Sequence, residues 1–307
     1  MKTLNEQIND VVKKNVCVAI KRRELLELGL TSADVSVLLA NERRAANALA
    51  RERRAAHAIE NNMTYGVEIE CYNAPRDRVI ESMGARNLRV EDISDYGCAH
   101  NGNSTERFKL VPDGSISGID PVECVTPILR GNNGLNTLKE CCGALNAIGA
   151  RVNKSTGLHV HVGGDITEKQ YINTFANYKA LEPIIDTFMA ASRRGNNAFY
   201  AKSVMNYNFA SCMSIDEIYA IMHGDRYHKI NPCSWSRHNT IEFRQHQGST
   251  DFKKIKMWVR FCVKLVIWSK ENVLTETPAT INDIPFLNDA EKRFFNERVN
   301  ELSETAA

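Results

Sequence analysis

The sequence predicts an α+β fold, a mainly antiparallel sheet with helices, preceded by a small helical region. Three observations carry that prediction. At residues 61–63 (Asn-Asn-Met) the texture changes from an Ala-, Leu-, Arg- and Glu-rich stretch to mixed strand-like and helix-like segments. The strand-like segments alternate apolar and polar residues, as strands do when only one face is packed. Strands and helices do not follow one another in strict βαβ order, which argues against a doubly wound parallel sheet. The expected division is a helical appendage over 1–62 and a larger domain over 63–307.

Residues 1–60 contain no proline, no aromatic residue and one glycine, Gly29. That composition favours helices. A first helix is expected from about residue 15 to 28, stopping at Gly29. Thr31 or Ser32 can cap a short second helix over 33–39. A turn near residues 40–41 then leads to a third helix over 42–59, which carries Arg43, Arg44, Arg51, Arg53 and Arg54. The outline is that of a helix-turn-helix. Two readings stay open: a charged helical hairpin that packs on the main domain or on a protein partner, and a nucleic-acid contact.

After the seam, strands are expected at 64–72, 106–111, 121–126, 157–162 and 239–245. Helices are expected at 134–148, 168–191, 215–222, 251–270 and 288–300. The segment 273–287 holds Pro278 and Pro285 and reads as a loop. The helix over 251–270 is mostly apolar and predicts a core element. Its most apolar run is broken by Arg260 and Lys264 and is shorter than the ~20 residues a membrane span requires.

Composition excludes several classes. With 43% hydrophobic and 25% charged residues, the 307-residue chain is not a disordered one. A net charge of +2 does not describe a protein that coats nucleic acid or membrane. That balance is uneven along the chain: residues 1–60 carry 11 basic against 8 acidic residues, and the remainder 28 against 29. Nine cysteines occur without a Cys-x-x-Cys pair, so neither a disulfide framework nor a zinc ribbon is written here. Scattered thiols fit a reducing compartment, and the N-terminal stretch lacks the apolar run of a signal peptide. The expectation is a cytoplasmic protein.

The chemistry lies in the polar faces of four strands. In 65–72, Val67 and Ile69 oppose Glu68 and Glu70. In 157–162, Leu158, Val160 and Val162 oppose His159 and His161. In 239–245, Ile241 and Phe243 oppose Glu242 and Arg244, and in 121–126, Val122 and Cys124 oppose Glu123 and Val125. One such strand is an ordinary solvated face. Together they offer four carboxylates, two imidazoles and one guanidinium, and carboxylates side by side repel unless a cation sits among them. Oxygen ligands with one or two imidazoles suit Mg²⁺ or Mn²⁺. Such ions commonly hold nucleotide phosphates, yet the chain has neither a P-loop nor a Gly-x-Gly-x-x-Gly turn. Any ATP would therefore be held by metals on the sheet. Arg193, Arg194, Lys202, Arg226 and Arg237 lie in regions able to form a basic rim. The same His-x-His pattern also suits a metal-dependent hydrolase, which would prefer zinc and need no ATP.

The segments YGVEIE (65–70), DGSI (113–116), VECVTP (122–127), GLHVHVG (157–163) and IEFRQHQGS (241–249) resemble, in order and spacing, those of the amidoligase family. That family belongs to the carboxylate–amine ligase superfamily of glutamine synthetase and glutamate–cysteine ligase. The resemblance spans roughly 64–270. It implies a glutamine-synthetase-like curved sheet with outer helices, holding ATP and two or three Mg²⁺ or Mn²⁺ ions. It implies metal ligation by Glu68, Glu70, Glu123, His159 and Glu242, nucleotide contact by His161, and phosphate contact by Arg244, with Arg193 or Arg194 assisting. The implied reaction is ATP-dependent joining of a carboxylate-bearing and an amine-bearing substrate (a small amino acid, a peptide or a protein) through an acyl phosphate. His100 and Glu106 are candidates for the base. Residues 1–60 lie outside the resemblance, and a regulatory or nucleic-acid-binding role for them stays open.

Overall fold

The computed structural model describes residues 2–14, 18–56, 63–93 and 106–304. The chain forms two compact units, residues 1–58 and 59–307.

The first unit is helical. Helix α1 (Leu4–Lys13) was not expected, although its start is written locally: the Thr3 hydroxyl accepts the Glu6 N–H at 3.3 Å and the Glu6 carboxylate accepts the Thr3 N–H at 2.7 Å. Helix α2 (Val18–Glu27) ends before Gly29, which is left-handed at φ 87°. Its expected start near residue 15 lies outside the described residues. Thr31 does cap the next helix, accepting the Asp34 N–H at 3.2 Å. That helix, α3 (Ser32–Ala56), runs through the expected break at residues 40–41. Nothing there can stop it: neither glycine nor proline occurs, and Asn41 stands between the helix formers Leu38, Leu39 and Ala40 and Glu42, Arg43 and Arg44. The expected short second helix and long third helix are one element, and the expected end at residue 59 lies outside the described residues. Val11, Leu25 and Val35 form a small core. The buried Lys21 ties the helices together, donating to the Val12 carbonyl at 2.6 Å and pairing with Glu42.

The second unit is α+β around an open, mostly antiparallel eight-stranded sheet. Its strands are β1 (Thr64–Cys71), β2 (Val90–Asp92), β3 (Phe108–Val111), β4 (Val122–Val125), β5 (Leu129–Arg130), β6 (Gly157–Gly163), β7 (Ile230–Asn231) and β8 (Thr240–Gln247). The order is β2-β3-β4-β1-β6-β8-β7, with β5 paired to the start of β1 and only β2 and β3 running parallel. The helices are α4 (Arg76–Gly84), α5 (Gly131–Ala147), α6 (Glu168–Thr187), α7 (Ile215–Ile221), α8 (Ser234–His238), α9 (Phe252–Trp268) and α10 (Asp289–Glu304). Five strands and five helices fall where the sequence placed them, and α6 stops at Thr187 rather than at 191. The short elements β2, β5, β7, α4 and α8 carry too little periodicity to be read beforehand.

One face of the sheet makes the core. Val67, Ile69, Val122, Leu158, Val160, Ile241 and Phe243 pack with residues of α5, α6 and α9. The two charges that interrupt the apolar run over 257–268 of α9 share one partner: Arg260 bonds Glu291 of α10 at 2.8 Å through Nε, and Lys264 bonds it at 2.7 Å. Among the described residues no helix is long and apolar enough to cross a membrane.

Candidate active site

The opposite face of the sheet carries the acids. Antiparallel pairing sets Glu70 across from Glu123, Glu68 across from Val125 and His159, and His161 across from Glu242. Each partner keeps the period-2 alternation, so the side chains converge on one side. A bulge in β8 between its pairings with Leu158 and Val160 adds one residue opposite His159. It keeps Arg244 on the acidic face while Gln245 bonds Tyr178 of α6.

Glu68 sits at the hub. Its Oε2 lies 2.9 Å from His159 Nδ1 and its Oε1 lies 3.1 Å from His161 Nε2. His159 Nε2 is 3.4 Å from Glu70 Oε1, and Glu242 Oε1 stands 3.9 Å from both imidazoles. Arg244 pairs with Glu242 through Nη1, and its Nε donates to the Tyr200 carbonyl at 3.4 Å. Three side chains not anticipated from the sequence complete the row. Asn231 donates to Glu242, and the Thr240 and Ser234 hydroxyls lie 2.9 and 3.2 Å from His161 Nδ1. Thr240 is two residues before Glu242, so extending the alternation by one step finds it. Asn231 ends the two-residue β7 and Ser234 opens the five-residue α8, elements too short to carry such a signal.

The row is electrostatically loaded. Burial works against the charge on Glu68, but His161 and hydrogen bonds from both imidazoles hold its carboxyl well below the usual range. Glu242 is likewise buried, yet Arg244 and His161 bring it down to about 2. Glu123 goes the other way: burial and then the charges of Glu68 and Glu70 push it well up. For His161, burial disfavours the cation and is outweighed by Glu242 and Glu68, so its value rises.

Two cavities meet at this row. The larger, about 350 Å³, is lined by Glu68, Glu70, Glu123, His159, His161, Glu242 and Arg244, together with Arg193, Arg226, Arg237, Tyr200 and Tyr227. The smaller, about 250 Å³, shares Glu68, Glu123 and His161 and is otherwise walled by Gly66, Val125, Pro127, Ile128 and Thr240, with Arg107 and Lys109 also lining it. Arg193 is buried at the larger cavity and donates to the Thr156 carbonyl at 2.6 Å. Arg194 is not among the lining residues; its Nε caps the Met189 carbonyl at 2.8 Å. Of the expected rim, Arg226 and Arg237 line the cavity, whereas Lys202 pairs with Asp225 at 2.8 Å. Asp113 lines it too and accepts the Ser115 N–H at 2.7 Å. Glu106 lies outside both linings, 3.5 Å from Arg89, and His100 falls outside the described residues.

The donor chemistry fits a divalent ion. Donor atoms of Glu68, His161 and Glu242 all lie within 4.8 Å of one another, as do those of Glu68, Glu123 and His159. Oxygen donors with one imidazole per group suit Mg²⁺ or Mn²⁺. Gly157 shapes this pocket. Its N–H donates to Glu70 Oε2 at 2.6 Å, and a Cβ there would stand 2.9 Å from His159 Nε2. Gly157→Ala is therefore expected to lower Mn²⁺ affinity by about tenfold, the size of effect seen when a ligand's support is disturbed. Titration calorimetry that returned the wild-type affinity would separate His159 and Glu70 from any metal.

No curated protein matches the chain. Residues 61–266, from just before β1 into the last turn of α9, match a family model described as "Putative amidoligase enzyme". All eight described strands and the whole acidic row fall inside that span, which covers well over half of the 307 residues, and the chain belongs to this amidoligase family.

Proposed function

We propose that the protein is an ATP-dependent carboxylate–amine ligase that works through an acyl phosphate. The observation that carries the reading is the convergence of four carboxylates and two imidazoles with Arg244 and Arg193 at one cavity. Glu68, Glu70, Glu123, His159 and Glu242 would hold Mg²⁺ or Mn²⁺, which would supply charge neutralisation for phosphoryl transfer. The apolar walls of the smaller cavity suit a nucleotide base, with His161 turned toward the phosphates. The larger cavity, where four arginines face the acidic row, is left for the carboxylate substrate.

The reaction brings two anions together. The substrate carboxylate oxygen bonds the γ-phosphorus as the bond to ADP breaks. The amine nitrogen then bonds the acyl carbon and loses a proton, and inorganic phosphate leaves. Arg244 and Arg193 lower the cost of that encounter by placing fixed positive charge, already desolvated, where negative charge gathers. Arg194, held on the Met189 carbonyl, has no part in this proposal.

The test is an ADP-release screen of the full-length protein with Mg²⁺ over pooled carboxylates and amines, with mass spectrometry of the product. ADP release that needs both pools, with a product lighter than the summed substrates by one water, is the expected result. Hydrolysis of a substrate without ATP, in protein purified with zinc, would replace the reading with a hydrolase.

A further inference from the structure

Four arginines line the larger cavity beside the acidic row, more than one reacting carboxylate needs. Arg244 is engaged by Glu242, and Arg193 sits deep beside Glu70. Two more guanidiniums, Arg226 and Arg237, line the same cavity from its exposed side. Among the described residues neither has a carboxylate within ion-pair distance; Arg226 lies over the Tyr227 ring, 5.6 Å from its centre. Unpaired arginines that share a cavity with a buried reacting centre are suited to a second anionic group of the same substrate.

Beside them stands an aromatic ledge. Tyr200 and Tyr227 line the cavity, with ring centres 5.1 Å apart, and Phe199 packs on both at 5.1 and 5.8 Å. Phe199 is 66% exposed and Tyr200 43% exposed, so the ledge faces solvent instead of closing the core. Lys202, paired with Asp225, lies over the Phe199 ring at 5.1 Å and packs its outer end. The ledge is joined to the chemistry, because the Tyr200 carbonyl is the acceptor for Arg244 Nε. Exposed aromatics edged by cations are a binding surface for extended chain, since they bury large area at low entropic cost. A free amino acid that fits within the cavity would leave this surface uncovered.

We infer that the carboxylate donor is an acidic peptide chain: one carboxylate reaches Arg244 and the acidic row, a second pairs with Arg226 and Arg237, and the chain leaves across Phe199, Tyr200 and Tyr227. This rests on the ligase reading for the role of the deep site, but the binding it asserts is measurable without turnover.

The experiment uses fluorescence anisotropy on the full-length protein with Mn²⁺. The probe is a fluorescein-labelled hexapeptide ending in Glu-Glu, compared with the same peptide ending in Gln-Gln amide and with free glutamate as competitor. The Glu-Glu peptide is expected to bind at least ~10-fold more tightly than the Gln-Gln amide, and free glutamate at equal concentration is not expected to displace it. Arg226→Gln/Arg237→Gln is expected to weaken peptide binding about tenfold or more, and Phe199→Ser several-fold, with Mn²⁺ affinity unchanged. Lys253→Gln/Lys270→Gln, charge removals on and just beyond α9, should leave binding intact and so controls for net charge. Equal binding of the two peptides, wild-type affinity in both cleft variants, or displacement by equimolar glutamate would each overturn the inference. Arginine-dependent peptide binding supports it even where ADP release fails, and that failure would then count against the ligase reading alone.

Discussion

Glu68→Gln is expected to abolish ADP release and to weaken Mn²⁺ binding by at least ~100-fold, while the protein stays folded. Glu68 is the one carboxylate common to both donor groups, so its loss removes an oxygen from each. Disturbing a residue that merely supports a ligand already costs about 10–100-fold in affinity. The glutamine keeps the shape of the side chain and removes its charge. Folding is not the source of the loss, and Glu123→Gln makes that separable. Glu123 is pushed up by burial and by Glu68 and Glu70, so its folded value exceeds its unfolded one. A raised carboxylate contributes stability below its unfolded value and loses it as pH rises, so at neutral pH the charge is a burden on the metal-free protein. Glu123→Gln should therefore keep or raise the metal-free melting temperature while reducing the stabilisation that Mn²⁺ confers. Wild-type Mn²⁺ affinity in folded Glu68→Gln protein would dismantle the metal site. Arg244→Ala is expected to lower turnover by a further independent route, by about 10²–10³, the size seen when a donor to developing charge is lost.

The face that holds these residues was legible because strand alternation is a rule of geometry. Once Val67 and Ile69 go to the core, Glu68 and Glu70 must go the other way, and the same holds for His159 with Val160 and for Glu242 with Phe243. Alternation says nothing about chain outside strands. It could not choose between Arg193 and Arg194, which are adjacent at the end of a short turn; Arg193 bonds the distant Thr156 carbonyl, whereas Arg194 folds back on Met189, five residues earlier. The bulge in β8 was equally invisible, since one extra residue leaves the apolar–polar string unchanged before it. In the helical unit the error had the opposite cause. A composition without breakers was divided at residues 40–41, where only an outline, and no residue, called for a stop. Lys229 was missed for a third reason: lysine reads as surface, and nothing local says otherwise.

Lys229→Met is expected to destabilise the second unit by about 3–5 kcal/mol, the usual cost of removing one member of a buried ion pair. Lys229 is 0% exposed, and its Nζ donates to Glu182 Oε1 at 2.8 Å and to Asp186 Oδ1 at 2.6 Å, both on α6. Its backbone spans two other parts. The carbonyl accepts the Arg244 N–H at 2.8 Å, and the N–H donates to the Lys202 carbonyl at 2.9 Å. The acids it neutralises hold the Arg193 loop: Glu182 Oε2 accepts the Val204 N–H and Asp186 Oδ2 the Gly195 N–H, each at 2.8 Å. Methionine keeps the length of the side chain and leaves two acids without their cation. The cost corresponds to a melting temperature lower by roughly 6–20 °C for a unit of this size. Adding Glu182→Gln to Lys229→Met should recover part of the loss, because the remaining buried group is then neutral; strictly additive costs would show that the two do not interact. The coupling also reaches function. Since the lysine ammonium fixes Asp186, which in turn holds Gly195 near Arg193 and the Gln245 side chain next to Arg244, Lys229→Met protein assayed well below its melting point should lose turnover while its Mn²⁺ affinity, set by side chains on β1, β4, β6 and β8, holds. A loss of both in parallel would mean that the lysine supports the sheet as a whole and not the placement of the two arginines.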